Sequence, residues 1–300
     1  MRLLVTGSLA ASEEDIRAIE ALGHSVVLHP DERIPAEDPG QFEGIIGNSL
    51  FYYQGYEQFS AVRYLQITSA GYDRVPMDWV REKGIALFNA GGALSVPMSE
   101  WVVMRILELY KHVPQVFRDQ LAGRYKKDWG WQEIGGKEAL IIGFGAFGRE
   151  IAKRLKVFGA RITAANRSQK SDPNVDAFYP LTALPELLPK ADIVILAIAN
   201  APETYHLLDE KALKSLKPGA ILINGARGSL IDEQALADVL KNGPLAGAAL
   251  DVFEKEPLPA ESPLWKLENV LLSPHNSFAG EHNHERLMQV VLRNLKNHAV

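Results

Sequence analysis

Short apolar runs alternate with amphipathic stretches along nearly all of this 300-residue chain, and that rhythm constrains its fold more than any other feature. RLLVT (2–6), SVVLH (25–29), GIIGN (44–48) and YLQITS (64–69) read as buried strands. Between the first two, SEEDIRAIEALG (12–23) offers Ser12 as an N-cap, acids in the first turn and Gly23 as a stop. A strand–helix–strand repeat demands a parallel sheet covered by helices on both faces, because each crossover must return over the sheet. A long amphipathic stretch, PMSEWVVMRILELYKHVPQVFRDQL (97–121), follows. Pro97 suits a helix start, and Pro114 is expected to kink or interrupt the helix. Its apolar face of Trp101, Val102, Ile106, Leu109 and Tyr110 fits either a core helix or a helix at a domain or subunit boundary. The rhythm then restarts with ALIIGFG (139–145), RITAAN (161–166), IVILAIA (193–199), AILINGA (220–226), GAALDV (247–252) and VLLSPH (270–275), and the segment 281–300 is helical. The length exceeds the commonest single-core domain, so two domains are expected.

Composition removes several function classes. The hydrophobic share of 47% is that of a soluble globular chain, and a formal net charge of −5 gives nucleic acid no reason to bind. No apolar run reaches the length of a membrane span. The absence of cysteine excludes disulfides, thiol catalysis and Cys-ligated metals. The opening residues lack the apolar length of a secretory leader, and a cytoplasmic protein is expected.

ALIIGFGAFGREIA (139–152) sets Gly143, Gly145 and Gly148 between a strand and a helix. The first glycine serves a tight turn, the second lets a pyrophosphate approach the backbone, and the third lets helix and strand pack closely. The phosphates then lie on a helix N-terminus, whose N–H groups and dipole favour anions. Such a unit usually carries an acid about 20 residues on, which accepts bonds from a ribose hydroxyl. Here ITAANRSQK (162–170) puts Asn166, Arg167 and Ser168 there. Asn166 removes the repulsion an acid would exert on a 2′-phosphate. Arg167 supplies a cation, Ser168 a hydroxyl, and Lys170 a second cation. NADP(H) is therefore expected as the preferred cofactor, with NAD(H) second.

In an open parallel sheet, ligands bind beyond the carboxyl ends of the strands. Arg227, Glu256 and His275 each follow a different strand there. Each alone reads as an ordinary turn or surface residue. Together they are complementary: the Arg fork matches a carboxylate, His transfers a proton near neutral pH, and Glu orients the imidazole. That set suits binding an α-oxo acid and protonating its oxygen as hydride arrives.

The stretch LINGARGSLIDEQALADVLKNGPLAGAALDVFEKEPLPAESPLWKLENVLLSPH (222–275) resembles the D-isomer-specific 2-hydroxyacid dehydrogenases in the order and spacing of its Asn, Ala-Arg-Gly, Asp, Leu-Asp-Val-Phe, Glu-Pro-Leu and Pro-His elements. APETYHLLDEKALKSLKPG (201–219), SAGYDRV (69–75), GIALFNAGG (84–92) and Ser99-Glu100 extend the resemblance to nearly the whole chain. It implies a Rossmann dinucleotide domain over 97–280 and a smaller flavodoxin-like substrate domain over 1–96 and 281–300. Both would be doubly wound parallel-sheet α/β domains, with a cleft between them. It implies that Arg227 binds the substrate carboxylate and carbonyl, that Glu256 pairs with His275, and that His275 is the acid/base. Backbone at Ala70 and Gly71 would help hold the carboxylate, and Asp251 would sit near the nicotinamide carboxamide. Ala146 and Phe147 of the glycine turn, together with Ala199, Ala226 and Ser277, would complete the cofactor set. A homodimer joined through the dinucleotide domain is implied too, and would account for the over-apolar stretch from Pro97.

Departures are few. Ala199 stands where the family often has Pro, and Leu94 where a small polar residue is common. Asn276-Ser277-Phe278 replaces a small apolar segment; Ser277 is expected to cap the following helix, while Asn276 suits either a ligand contact or a cap. On the substrate side, Asn48, Ser49, Leu50 and Phe51 follow a strand and are expected to face the cleft. Tyr52, Tyr53, Trp129 and Trp131 form aromatic loops. His282 and His284, two residues apart, do not share a helical face, so no metal is expected. The expected activity is reduction of a small 2-oxo acid, such as glyoxylate or hydroxypyruvate, to the D-2-hydroxy acid. The alternative is a dinucleotide-sensing protein of the same fold with little catalysis.

Overall fold

The computed structural model describes residues 1–168 and 171–298, which form two compact units. Met1–Leu94 and the residues from Gly280 onward make the smaller unit; Ser95–Ala279 make the larger.

The smaller unit holds a five-stranded, wholly parallel sheet in the order β2-β1-β3-β4-β5. Its strands are β1 (Arg2–Thr6), β2 (Ser25–His29), β3 (Gly44–Gly47), β4 (Tyr64–Ile67) and β5 (Ala86–Phe88). Residues in β1, β3 and β4 are almost all buried, as a sheet covered on both faces requires. Helix α1 (Glu13–Glu20) begins at Ser12, whose hydroxyl accepts the Asp15 N–H while the Asp15 carboxylate accepts from Ser12. This capping box satisfies two otherwise orphaned donors. The chain runs from β1 to β2 on one side, then returns to place β3 on the other, so the strand order reverses between β1 and β3. The last helix, Asn283–Asn297, packs Leu287, Val290, Val291 and Leu295 into a core with Leu3, Val5, Ile19 and Ile46.

The larger unit has a seven-stranded parallel sheet, ordered β12-β11-β10-β9-β6-β7-β8. Its strands are β6 (Glu138–Ile142), β7 (Arg161–Asn166), β8 (Ala177–Pro180), β9 (Ile193–Leu196), β10 (Ile221–Asn224), β11 (Gly247–Leu250) and β12 (Val270–Leu272). The order reverses between β6 and β9, the point at which such sheets take ligands. The sequence reading expected six strands here. The additional β8, AFYP, is a half-exposed edge strand whose last residue is proline, so it shows no apolar run. The short β5, three half-buried residues, likewise carries no strand signal in the sequence.

The long stretch after Leu94 is two helices. One runs Ser95–Tyr110 and the other Val113–Leu121, with His112 in a left-handed conformation between them. Pro114 sits in the first turn of the second helix, where its missing N–H costs nothing, so the break falls ahead of the proline. Trp101, Val102, Ile106 and Tyr110 are buried within the unit, whereas Leu109 is only half-buried. No helix among the described residues is long and apolar enough to cross a membrane.

Leu295 has no solvent exposure. Leu295→Ala is expected to destabilise the protein by about 2–5 kcal/mol through the cavity it leaves. Urea unfolding measures this, and an unchanged midpoint would show that the last helix contributes no core.

Candidate active site

The glycine turn joins β6 to the helix Ala146–Val157. Gly143 has φ +96°, and a Cβ there would lie 2.5 Å from the Ala197 carbonyl oxygen, so no larger residue fits between the strand ends. A Cβ at Gly148 would lie 2.4 Å from the Gly143 oxygen, which fixes how closely the helix approaches the turn. Gly145 differs: a Cβ there would meet nothing within 4 Å. Gly145 is also the N-cap, with no side chain capping the helix. Open space therefore faces an uncapped N-terminus at Ala146, Phe147 and Gly148, and this cradle fits a dinucleotide pyrophosphate.

Asn166 ends β7 and ties it to the turn. Its Oδ1 accepts the Phe144 N–H at 3.2 Å, and its Nδ2 donates to the Ser168 carbonyl at 3.0 Å and hydroxyl at 3.2 Å. Arg167 reaches Glu203, Nη2 to Oε1 2.7 Å, across an exposed surface. Glu203 was not foreseen; it lies in the loop after β9, far from Arg167 in sequence. Ala199 is exposed in the same loop, and its carbonyl accepts the Thr204 hydroxyl at 3.0 Å. Lys170 lies outside the described residues.

Arg227, Glu256 and His275 follow β10, β11 and β12, three adjacent parallel strands. Asn224, 1% exposed, shapes the first loop: its Oδ1 accepts the Ala226 N–H and its Nδ2 donates to the Arg227 carbonyl. The Arg227 Nη1 donates to the Ala226 carbonyl at 2.6 Å. A Cβ at Gly228 would fall 1.9 Å from the Phe253 carbonyl carbon, so this loop lies directly against the next. In that second loop the Phe253 N–H donates to Glu256 Oε1 at 3.0 Å, which orients the carboxylate. Glu256 Oε2 lies 2.6 Å from His275 Nδ1. A carboxylate accepts only, so Nδ1 carries the proton and Nε2 is the ring nitrogen left for substrate. Nearby, burial raises the Glu233 carboxyl above its ordinary range, reinforced by the Glu254 and Glu256 charges.

The third loop hangs on Asp251. This side chain has no solvent exposure. Its Oδ1 accepts the Ser273 hydroxyl at 2.6 Å and the Asn276 N–H at 3.1 Å, and its Oδ2 accepts the Ser277 N–H at 2.8 Å. The His275 N–H donates to the Asp251 carbonyl at 2.8 Å, with His275 at φ +50°. Both carboxylate oxygens are thus engaged by the loop that bears His275. Ser277, 5% exposed, does not cap a helix as expected: the last helix begins at Asn283 and is preceded by His282. Ser273 was not foreseen as a site residue, because a serine before Pro-His reads as an ordinary turn.

In the smaller unit, Asn48 and Ser49 follow β3 at the reversal of strand order. Their N–H groups donate to the Glu32 carboxylate at 2.8 and 2.7 Å, and the Thr6 hydroxyl does so at 2.6 Å. Arg74 Nη1 donates to Ser49 Oγ at 2.6 Å. Glu32 and Arg74 were both missed, since each lies in a polar loop with no periodic signal. Leu50 corrects the sequence reading. It is 2% exposed and packs with Leu4, Ile45, Ile67 and Trp79, so its side chain belongs to the core and does not line a ligand surface. Asn89 Nδ2 donates to the Ala70 carbonyl and the Ser69 hydroxyl to the Gly71 carbonyl. With both carbonyls tied back, neither N–H of Ala70 and Gly71 has an acceptor among the described residues.

Residues 103–277 match the family model of the D-isomer specific 2-hydroxyacid dehydrogenase, NAD binding domain. The chain is 34% identical over 248 residues to a glyoxylate reductase of Korarchaeum cryptofilum, covering 80% of this chain and 74% of that one. Among solved structures it resembles a glyoxylate reductase from Paecilomyes thermophila, with TM-score 0.84 and 26% identity over 99% of this chain and 94% of that one. It also resembles an NADPH-dependent glyoxylate/hydroxypyruvate reductase from Sinorhizobium meliloti, with TM-score 0.78 and 26% identity over 98% and 93% of the two chains.

The glycine turn gives a paired prediction. Gly145→Ala meets no protein atom and is expected to leave stability within about 0.5 kcal/mol, while weakening dinucleotide binding roughly tenfold or more. Gly148→Ala displaces backbone and is expected to lose both. Thermal melts and titrations of bound reduced-nicotinamide fluorescence read the two effects; undiminished binding by the Gly145 variant would contradict the cradle.

Proposed function

The chain belongs to the D-isomer specific 2-hydroxyacid dehydrogenase family, and from that premise we propose that it reduces small 2-oxo acids, glyoxylate and hydroxypyruvate among them, to D-2-hydroxy acids, using NADPH in preference to NADH. The observation that carries the reading is the 2.6 Å contact between His275 Nδ1 and Glu256, on loops adjoining that of Arg227. The relatives named for glyoxylate reduction support it.

A reduced nicotinamide held on the glycine turn would supply the hydride. The Arg227 guanidinium binds the substrate carboxylate and polarises the carbonyl oxygen. In the smaller unit, we assign the N–H groups of Ala70 and Gly71, together with Asn48 and Ser49, to substrate binding as well. His275 donates its Nε2 proton to the carbonyl oxygen as the carbon is reduced. Glu256 accepts the Nδ1 hydrogen bond and holds the imidazole in orientation.

The cofactor preference rests on Asn166, Arg167 and Ser168. An exposed ion pair such as Arg167–Glu203 is worth roughly 0–1 kcal/mol. A 2′-phosphate, with its higher charge and bidentate geometry, outcompetes Glu203 for the guanidinium. The reading includes a homodimer in the cytoplasm. Exposed Phe117, Leu121 and Trp129, at 57%, 74% and 88%, support a second copy as the cover for this region of the larger unit.

His275→Ala is expected to lower kcat by about 10²–10⁴-fold with cofactor affinity retained. Arg227→Ala is expected to cost kcat/KM for the oxo acid about 100-fold or more. Near-normal rates in both variants would refute the assignment. Arg167→Asp is expected to reduce kcat/KM for NADPH roughly 100-fold, with NADH changed only a few-fold, since each ~1.4 kcal/mol is a factor of ten. Equal losses with both cofactors would contradict the role given to Arg167.

A further inference from the structure

Trp101 lies on the helix Ser95–Tyr110, is 7% exposed, and has no place in the chemistry described above. Two features connect it to that chemistry. Its indole Nε1–H donates to Ser273 Oγ at 3.2 Å, and the Ser273 hydroxyl donates to Asp251 Oδ1 at 2.6 Å. The direction of this chain is fixed, because an indole only donates and a carboxylate only accepts, so the single hydroxyl proton points to Asp251. The other end of the ring lies under the loop that carries Arg227. A Cβ added at Gly225 would come within 3.3 Å of Trp101 Cζ3 and 3.6 Å of Cε3. The Arg105 guanidinium, 5.5 Å from the ring centroid, holds the indole in place.

We propose that Trp101 is a positioning residue for both reactive loops: its N–H sets the His275 loop through Ser273 and Asp251, and its ring supports the Gly225–Arg227 turn. This rests on the roles given to Arg227 and His275 under the proposed function. The two parts of the indole make separable contributions. Phenylalanine keeps a ring against Gly225 and removes the N–H. Leucine removes both. The Trp101–Ser273 bond is neutral, and a bond of this kind is worth a few-fold in rate within a buried chain.

In the full-length protein with NADPH and glyoxylate, Trp101→Phe is expected to lower kcat about three- to tenfold, with KM for the oxo acid within about twofold. Ser273→Ala also removes a donor from the buried Asp251 carboxylate and is expected to cost at least as much, and the double variant to lose no more than Ser273→Ala alone, because both interrupt one chain. Trp101→Leu is expected to raise KM as well, through the Arg227 turn. A measurement independent of turnover accompanies these. The imidazole NMR signal of His275, identified by its loss in His275→Ala, is expected to shift alike in Trp101→Phe and Ser273→Ala and to stay put in Trp265→Phe, a change at an exposed tryptophan. An unmoved His275 signal in Trp101→Phe, unchanged kcat, or losses that multiply in the double variant would overturn the proposal. Near-normal rates in Arg227→Ala and His275→Ala would instead overturn the underlying reading, while the NMR comparison would still decide whether Trp101 sets the His275 loop.

Discussion

The buried carboxylate of Asp251 is the interaction on which the geometry of the candidate site depends. A charge with no solvent exposure carries a desolvation cost of several kcal/mol unless donors surround it. Here the Ser273 hydroxyl and the N–H groups of Asn276 and Ser277 provide them, and all three belong to one short loop. The loop therefore cannot move away without stranding the charge. Its geometry is unusual for that reason: His275 is held at φ +50°, a conformation that costs a bulky residue energy and persists where the surroundings over-determine it. The imidazole is thereby presented to Glu256, and the 2.6 Å contact between the two side chains follows from the anchor.

Close backbone approaches do the same for the other loops. The closest contact under each of Gly143, Gly148 and Gly228 is with a backbone atom, so each glycine sets a backbone-to-backbone distance that any side chain would widen. Beneath them, β6, β9, β10 and β11 are buried along nearly their full length. A core packed at crystal-like density transmits little give to its strand ends. The loops at those ends inherit that rigidity, which suits residues that must meet a ligand in one geometry.

Much of this was legible in the sequence, for identifiable reasons. Central parallel strands are buried on both faces and read as plain apolar runs, so β1, β3, β6, β9 and β10 were evident. The edge strand β8 was not, because Tyr179 and Pro180 face solvent and carry no apolar signal. Gly143, Gly145 and Gly148 stood out through their spacing, and Arg227, Glu256 and His275 through their recurrence at strand ends. What stayed hidden was the layer beneath. Asn224, Ser273 and Trp101 act through contacts as distant as 172 residues, and no local pattern announces such a partner. Leu50 shows the reverse failure: a strand-end position suggested a ligand surface, but the short helix Leu50–Tyr53 turns its side chain inward.

In the proposed function, the His275–Glu256 pair and Arg227 perform a reduction and do not merely accompany a bound dinucleotide. The measurement that tests it most directly is the steady-state loss of the reduced-nicotinamide absorbance band by the unmodified protein with NADPH and glyoxylate or hydroxypyruvate. The account predicts sustained turnover, with kcat on the order of 1–10³ s⁻¹. Tight NADPH binding with no turnover of either acid, or of larger 2-oxo acids, would contradict it and leave a dinucleotide-sensing protein in its place.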